Sequence, residues 1–284
     1  MSEAVLREPP PLLGCPALFP ELHARLIDAL ASLDEAGWER RTSAGEWRVR
    51  DVAAHLLDGD LRKLSFHRDG RTPPMPQTPI GDYADLVRHL NQLNRDWVEA
   101  AGRPSPRVLL DLLRWSGAHV SAFVAALDPM ADALFPVAWA GEERSLVWMD
   151  TAREYTERWH HQQQIRAAAG APLLEERRFL RPLIHMSVRA LPRTYAAVEA
   201  PEGACVTLDV TGDAGGTWTL RREGGRWILY EGRAPAGVAV TMDERFAWRL
   251  FFKAVPDAER RAGLSWTGQT ALAEPMSAAL AVMA

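Results

Sequence analysis

The stretch Thr151–Ala168, TAREYTERWHHQQQIRAA, decides how the rest of the chain is read. Trp148, Ala152, Tyr155 and Trp159 recur at helical spacing and form one apolar stripe. Glu157 and His161 are four residues apart, so on a helix they stack one turn apart on a shared face, well around from that stripe. This spacing lets a carboxylate and an imidazole hold one metal ion from a rigid element, and it is also common on solvated helix faces. A catalytic zinc site takes three protein ligands and leaves a position open. His55, mid-helix in RVRDVAAHLLDGD (Arg48–Asp60), is the best candidate for the third, although such a histidine is often simply hydrogen-bonded. Glu157 and His160 also show the Glu-x-x-His spacing of dimetal carboxylate bundles, but that site needs a second copy, which the chain lacks.

Working outward, the first half reads as helices. Apolar positions predict helices over 18–41, 50–67, 83–101, 105–127 and 146–169, the last stopped by Gly170. Prolines at 73, 74, 76 and 79 make 71–82 a loop, and 129–143, with Trp139, is a second one. After about residue 200 the texture changes. Segments 204–210, 217–221, 226–230 and 238–242 alternate or are rich in β-branched and aromatic residues, as strands are, and Gly224-Gly225 predicts a hairpin between the second and third. Helices are expected at 179–198, 243–254, 257–262 and 270–280, with a short strand near 264–267. The expected fold is multi-domain: an all-α bundle, residues 1–175, followed by an α+β domain, residues 176–284.

The 284 residues are 47% hydrophobic and 25% charged, an ordinary globular balance that excludes a disordered chain. A net charge of −4 argues against nonspecific nucleic-acid binding. No uncharged apolar run approaches the roughly 18 residues of a membrane helix. The start MSEAVLREPPPLLG does not read as a signal peptide. Cys15 and Cys205 are too few for a disulfide scaffold or a cysteine zinc site, so a cytoplasmic location is expected. Gly-x-Ser-x-Gly, His-Glu-x-x-His, phosphate-loop and dinucleotide motifs are all missing.

GEWRVRDVAAHLLDGD (Gly45–Asp60), with Trp47, Val49, Asp51, Val52, His55 and Leu56, resembles the signature of the DinB-like metal-binding bundles. Among these it is most similar to the mycothiol-dependent maleylpyruvate isomerases. REYTERWHHQQQIRAAAG (Arg153–Gly170) resembles their second metal-binding helix. The resemblance implies a four-helix bundle whose ligands fall on His55, Glu157 and His161, with His160 the substitute if the register is off by one. It also implies a sterol-carrier-like C-terminal domain, since VTLDVTG, GGRWILYEG, VAVTMDERFAWRLFFKAV and SWTGQTALAEP look like that domain. In that family the second domain supplies a basic residue. Where a Gly-Arg pair is expected, this chain has Phe252-Lys253, so Lys253 or Arg249 would stand in, and a lysine cannot grip a carboxylate bidentately.

The implied activity is a metal- and low-molecular-weight-thiol-dependent isomerase or S-transferase acting on a small electrophile. The implied cofactors are a divalent metal (Zn2+, with Ni2+ or Fe2+ as alternatives) and a thiol such as mycothiol. Trp47, Trp159, Arg158 and Arg166 are the candidate substrate-binding residues. The expected partners are small molecules, without nucleic acid or membrane, on a monomer or homodimer. The alternative is a non-catalytic protein that binds a metal and an apolar ligand.

Overall fold

The structure, a computed structural model, describes residues 6–74, 76 and 78–283. Part of the N-terminal stretch read for a leader, and Met75 and Gln77 of the proline loop, fall outside them. The chain forms two compact units.

The helical unit comprises residues 13–134 and 146–174. Its elements are α1 (Phe19–Ala31), the short α2 (Glu35–Trp38), α3 (Val49–Arg62), α4 (Tyr83–Ala100), α5 (Pro106–Ala125) and α6 (Val147–Ala169). The single helix expected over 18–41 is broken after Ala31. Asp34 accepts a hydrogen bond from Gly37 N at 2.7 Å and starts a new helix there. The helix expected over 50–67 changes character at Lys63, where a π-helical stretch, Lys63–Arg68, continues it.

Helices α1, α3, α5 and α6 pack on one another, and α4 lies against α3. Leu26 and Leu30 of α1, Val52, Leu56 and Leu57 of α3, Leu109 and Leu113 of α5 and Ile165 of α6 share one apolar core. Trp97 of α4 is tied to α3 by a hydrogen bond from its indole N–H to Ala54 O, 2.8 Å. Helix α5 is the one helix among the described residues long and apolar enough to cross a membrane by length and composition. Arg107, Asp111 and Arg114 interrupt it, and its buried side, through Leu113 and Val120, faces the bundle.

The second unit comprises residues 6–12, 135–145 and 175–283. The division is therefore not the single cut at 175/176 that the sequence suggests. Arg7 bridges to Glu231, Arg189 donates to Pro9 O and Pro10 O, and Arg193 donates to Ala138 O, so two segments distant in sequence are bound here by their backbone groups. Helices α7 (Arg177–Ser187) and α8 (Leu191–Thr194) precede strands β1 (Cys205–Thr211), β2 (Gly216–Glu223), β3 (Arg226–Glu231) and β4 (Val238–Asp243). Then come α9 (Glu244–Phe251), α10 (Asp257–Arg260), β5 (Ser265–Thr267) and α11 (Thr270–Ala273). The helix expected over 179–198 is thus split, and the last expected helix ends in a 3-10 turn, Glu274–Ala278.

The sheet order is β3-β2-β1-β4-β5, antiparallel except for the parallel pair β1/β4. Its register lines up apolar side chains: Leu229, Leu220, Val206 and Val238 form one row, and Trp218, Leu208 and Val240 another. This is the period-2 pattern read from the sequence, made continuous across four strands. Gly224 and Gly225 both take positive φ, 54° and 76°, as a two-residue hairpin turn requires. Gly237 enters β4 at φ 129°, and a Cβ there would lie 2.4 Å from Cys205 O. Replacing Gly237 with alanine combines backbone strain with a clash against main chain. It is expected to cost at least about 2 kcal/mol, read as a lowered urea midpoint with unchanged slope.

Candidate metal centre

The site is built from two helices of the helical unit. On α3, Val52, Ala53, Leu56 and Leu57 face the core, and His55 occupies the edge of that face. On α6, Ala152, Tyr155 and Trp159 are fully buried, which turns Glu157 and His161 to the other side of the helix. One ligand atom from each of His55, Glu157 and His161 lies within 4.8 Å of the others, the one such group of three among the described residues. His161 Nε2 is 3.4 Å from Glu157 Oε2. The rings of His55 and His161 meet edge to face with centroids 4.7 Å apart.

The surroundings prepare these groups as ligands. Gln164, one turn from His160, bridges both histidines of α6. His161 Nδ1–H donates to Gln164 Oε1 at 2.8 Å, and Gln164 Nε2–H donates to His160 Nε2 at 3.0 Å. This fixes the His161 tautomer with its lone pair on Nε2, the nitrogen beside Glu157. Trp47 packs on His55 with centroids 5.1 Å apart.

Burial, and then the neighbouring His161, pushes His55 down to about 3, so its ring is neutral at ordinary pH. Burial alone would raise Glu157. A hydrogen bond from the His161 ring when it carries both protons, and the positive charges of His161, His55 and Arg153, outweigh it and hold the carboxyl down to about 2. A neutral imidazole and an ionised carboxylate are the protonation states a metal requires. His55 Nδ1 is buried without a hydrogen-bond partner, and two nitrogens with one carboxylate oxygen is a donor set suited to zinc. The residues fit a single divalent ion.

His160 stays outside the triad. It is buried, bonded to Gln164, and pushed down to about 3 by burial and by His161. Three residues expected to face substrate meet a different arrangement. Trp159 is completely buried and donates its indole N–H to Leu174 O at 3.0 Å, so it is core packing. Arg158 pairs with Asp60 at 2.5 Å and Glu154 at 3.0 Å. Arg166 donates to Pro172 O and Arg25 O, clamping the C-terminal end of α6. Each guanidinium is consumed by internal partners, which spacing alone does not reveal.

Lys253 and Arg249 belong to the second unit, where both are exposed. Lys253 takes φ 57°, the left-handed region that favours glycine. Arg249 lines a cavity of about 290 Å3 with Phe246, Val255, Pro256 and Glu259. The sequence reading missed Gln164. Its signal is a polar residue three positions beyond a candidate ligand, on the same helix face. Replacing Gln164 by alanine is expected to weaken zinc binding about 10- to 100-fold without unfolding the chain, measured by competition with a chromophoric chelator.

Residues 19–166, just over half of the chain, match the family described as the mycothiol maleylpyruvate isomerase N-terminal domain. Among solved structures, the crystal structure of a mycothiol-dependent maleylpyruvate isomerase superposes with a TM-score of 0.55 at 13% identity, covering 91% of this chain and 93% of that one. A histidine-to-alanine mutant of a mycothiol-dependent maleylpyruvate isomerase gives 0.54 at 13% identity with the same coverage. These likenesses extend the shared fold across both units. No curated protein matches the chain.

Proposed function

The chain belongs to the mycothiol maleylpyruvate isomerase N-terminal domain family, and from that premise we propose that it is a metal- and thiol-dependent isomerase or S-transferase acting on a small electrophile. In this reading the helical unit is a DinB-like four-helix bundle, and the second unit, from about residue 176, is sterol-carrier-like. The observation that carries the proposal is the convergence of His55, Glu157 and His161 within 4.8 Å from two helices.

His55, Glu157 and His161 would hold one divalent ion, Zn2+ in the first instance, with mycothiol or a similar small thiol as cosubstrate. When bound, such an ion supplies the Lewis acidity that keeps a thiol ionised near neutral pH. Gln164 holds His161 in its ligating tautomer. Glu157 supplies the negative charge, and its low proton affinity keeps it ionised at any working pH. Trp47, tilted against His55, offers an apolar wall to the carbon skeleton of an electrophile. Lys253 and Arg249 remain the candidates for orienting an acidic group of the substrate. The protein acts on small molecules as a cytoplasmic monomer or homodimer.

The test is metal content followed by thiol dependence. The purified chain is expected to carry about one zinc per molecule, and turnover of an electrophilic dye is expected to require both that metal and an added thiol such as mycothiol. A chain that binds no divalent ion under any loading condition, or turnover indifferent to thiol, overturns the reading.

A further inference from the structure

The helical unit buries two sets of ion pairs beside the triad. Lys63 Nζ lies 2.6 Å from Asp150 Oδ2, and both side chains are only 3% exposed. Asp150 also receives Arg153, at 2.7 Å, and has His67 Nδ1 at 4.0 Å. One turn before Lys63, Asp60 is reached by Arg158 of α6; it is 1% exposed and also accepts from the buried Ser116 hydroxyl of α5. Taken with the triad, α3 contributes His55 and Asp60 and its π-helical continuation contributes Lys63, and these meet His161 and Glu157, then Arg158, then Asp150 along α6. The contacts ascend one helix as they descend the other, so the two run antiparallel in one fixed register. Gly59, beside Asp60, lets the two helices approach, and a Cβ there would stand 3.9 Å from Glu154 Oε1.

Apolar side chains alone specify such a register weakly. A slide of one helical turn shifts a residue by about 5.4 Å and lets one leucine replace another in the core. The same slide would carry His55 beyond the reach that defines the triad. It would also leave Asp150 and Lys63 buried opposite the wrong residues, which is strongly unfavourable. Buried ion pairs add little net stability over well-packed apolar residues, and setting register is their best-attested use.

We propose that the Lys63–Asp150 and Asp60–Arg158 crosslinks are positioning elements for the metal triad, setting the α3/α6 register that presents His55 to Glu157 and His161. The inference rests on the metal-site reading above and assigns a role to four residues that touch none of the ligand atoms.

The experiment separates register from stability. In the full-length chain, the paired substitution K63M/D150L replaces one crosslink with apolar side chains of similar size. It is expected to keep the helical circular dichroism and a cooperative thermal transition, Arg153 retaining Glu154 as its partner. Zinc affinity, by competition with a chromophoric chelator, is expected to fall at least about tenfold. The visible spectrum of the Co2+-loaded protein, which reports ligand geometry, is expected to change. K63R, which retains the pair, is expected to keep wild-type affinity and spectrum. D60N supplies an independent test of the other crosslink should the double variant not fold, with the same expected loss of affinity. Folded K63M/D150L or D60N with wild-type affinity and an unchanged Co2+ spectrum overturns the proposal while leaving the metal site standing. Failure of the wild-type chain itself to bind zinc or cobalt removes the metal site and the proposal together.

Discussion

Replacing Glu157 by alanine is expected to weaken zinc binding by at least about 100-fold, the upper end of what the loss of even an outer partner costs. Glu157 is the one anionic member of the triad, and its carboxylate faces His161 Nε2 at 3.4 Å. Without it, two neutral imidazoles remain to hold a dication. Its side chain is 29% exposed and makes no core contact among those that organise the bundle. The metal-free variant is expected to stay folded, with a single cooperative unfolding transition. Thiol-dependent turnover is expected to drop to the level of the uncatalysed reaction. Metal content, chemical denaturation of the metal-free protein and thiol-dependent turnover together check this. Full zinc occupancy and full activity in the folded variant would count decisively against the proposed site.

The second large effect falls on stability. Asp150→Ala is expected to destabilise the helical unit by about 3–5 kcal/mol, because it leaves the Lys63 ammonium buried with its counter-ion gone. The same carboxylate gives a pH dependence of definite sign. Burial alone would raise its proton affinity, but the charges of Arg153 and Lys63 and their hydrogen bonds outweigh this, holding it well below the usual carboxylate range. The unfolded chain, with an ordinary aspartate near 3.9, therefore takes up the proton first on acidification. The contribution of Asp150 is present above about pH 4 and is lost as pH falls below it. Wild type is expected to lose stability steeply below about pH 4, whereas the folded K63M/D150L protein is expected to give a flatter acid profile. Urea titrations at pH 3, 4, 5 and 7 measure both curves.

The two effects divide the α6 surface by function. Glu157 and His161 sit where the helix meets a half-exposed edge, and their loss is read in chemistry. Asp150, Glu154 and Arg158 lie toward α3, among partners that are buried with them, and loss of Asp150 is read first in folding. Arg158 and Arg166 illustrate why sequence reading misassigns such residues. A basic side chain on a helix carrying candidate ligands looks available to substrate until its partners, Asp60 for the first and the carbonyls of Arg25 and Pro172 for the second, come from distant parts of the chain.

Local pattern determined much of this protein. Apolar periodicity marked α3 to α6 nearly to their ends, and alternation with Gly224-Gly225 marked the strands and the β2–β3 hairpin, because each depends on neighbours within a few residues. The four-residue spacing of Glu157 and His161 determined that they share a face, since helix geometry alone enforces it. Only the tertiary structure decided that His55 joins them, that Gln164 ties His160 to His161, and that Trp159 is core. It also decided that residues 6–12 and 135–145 leave the helical unit. The physical reason is common to all four. A contact between residues far apart in the chain is set by packing and by the cost of burying unpaired charge, and neither leaves a periodic mark on the sequence around it.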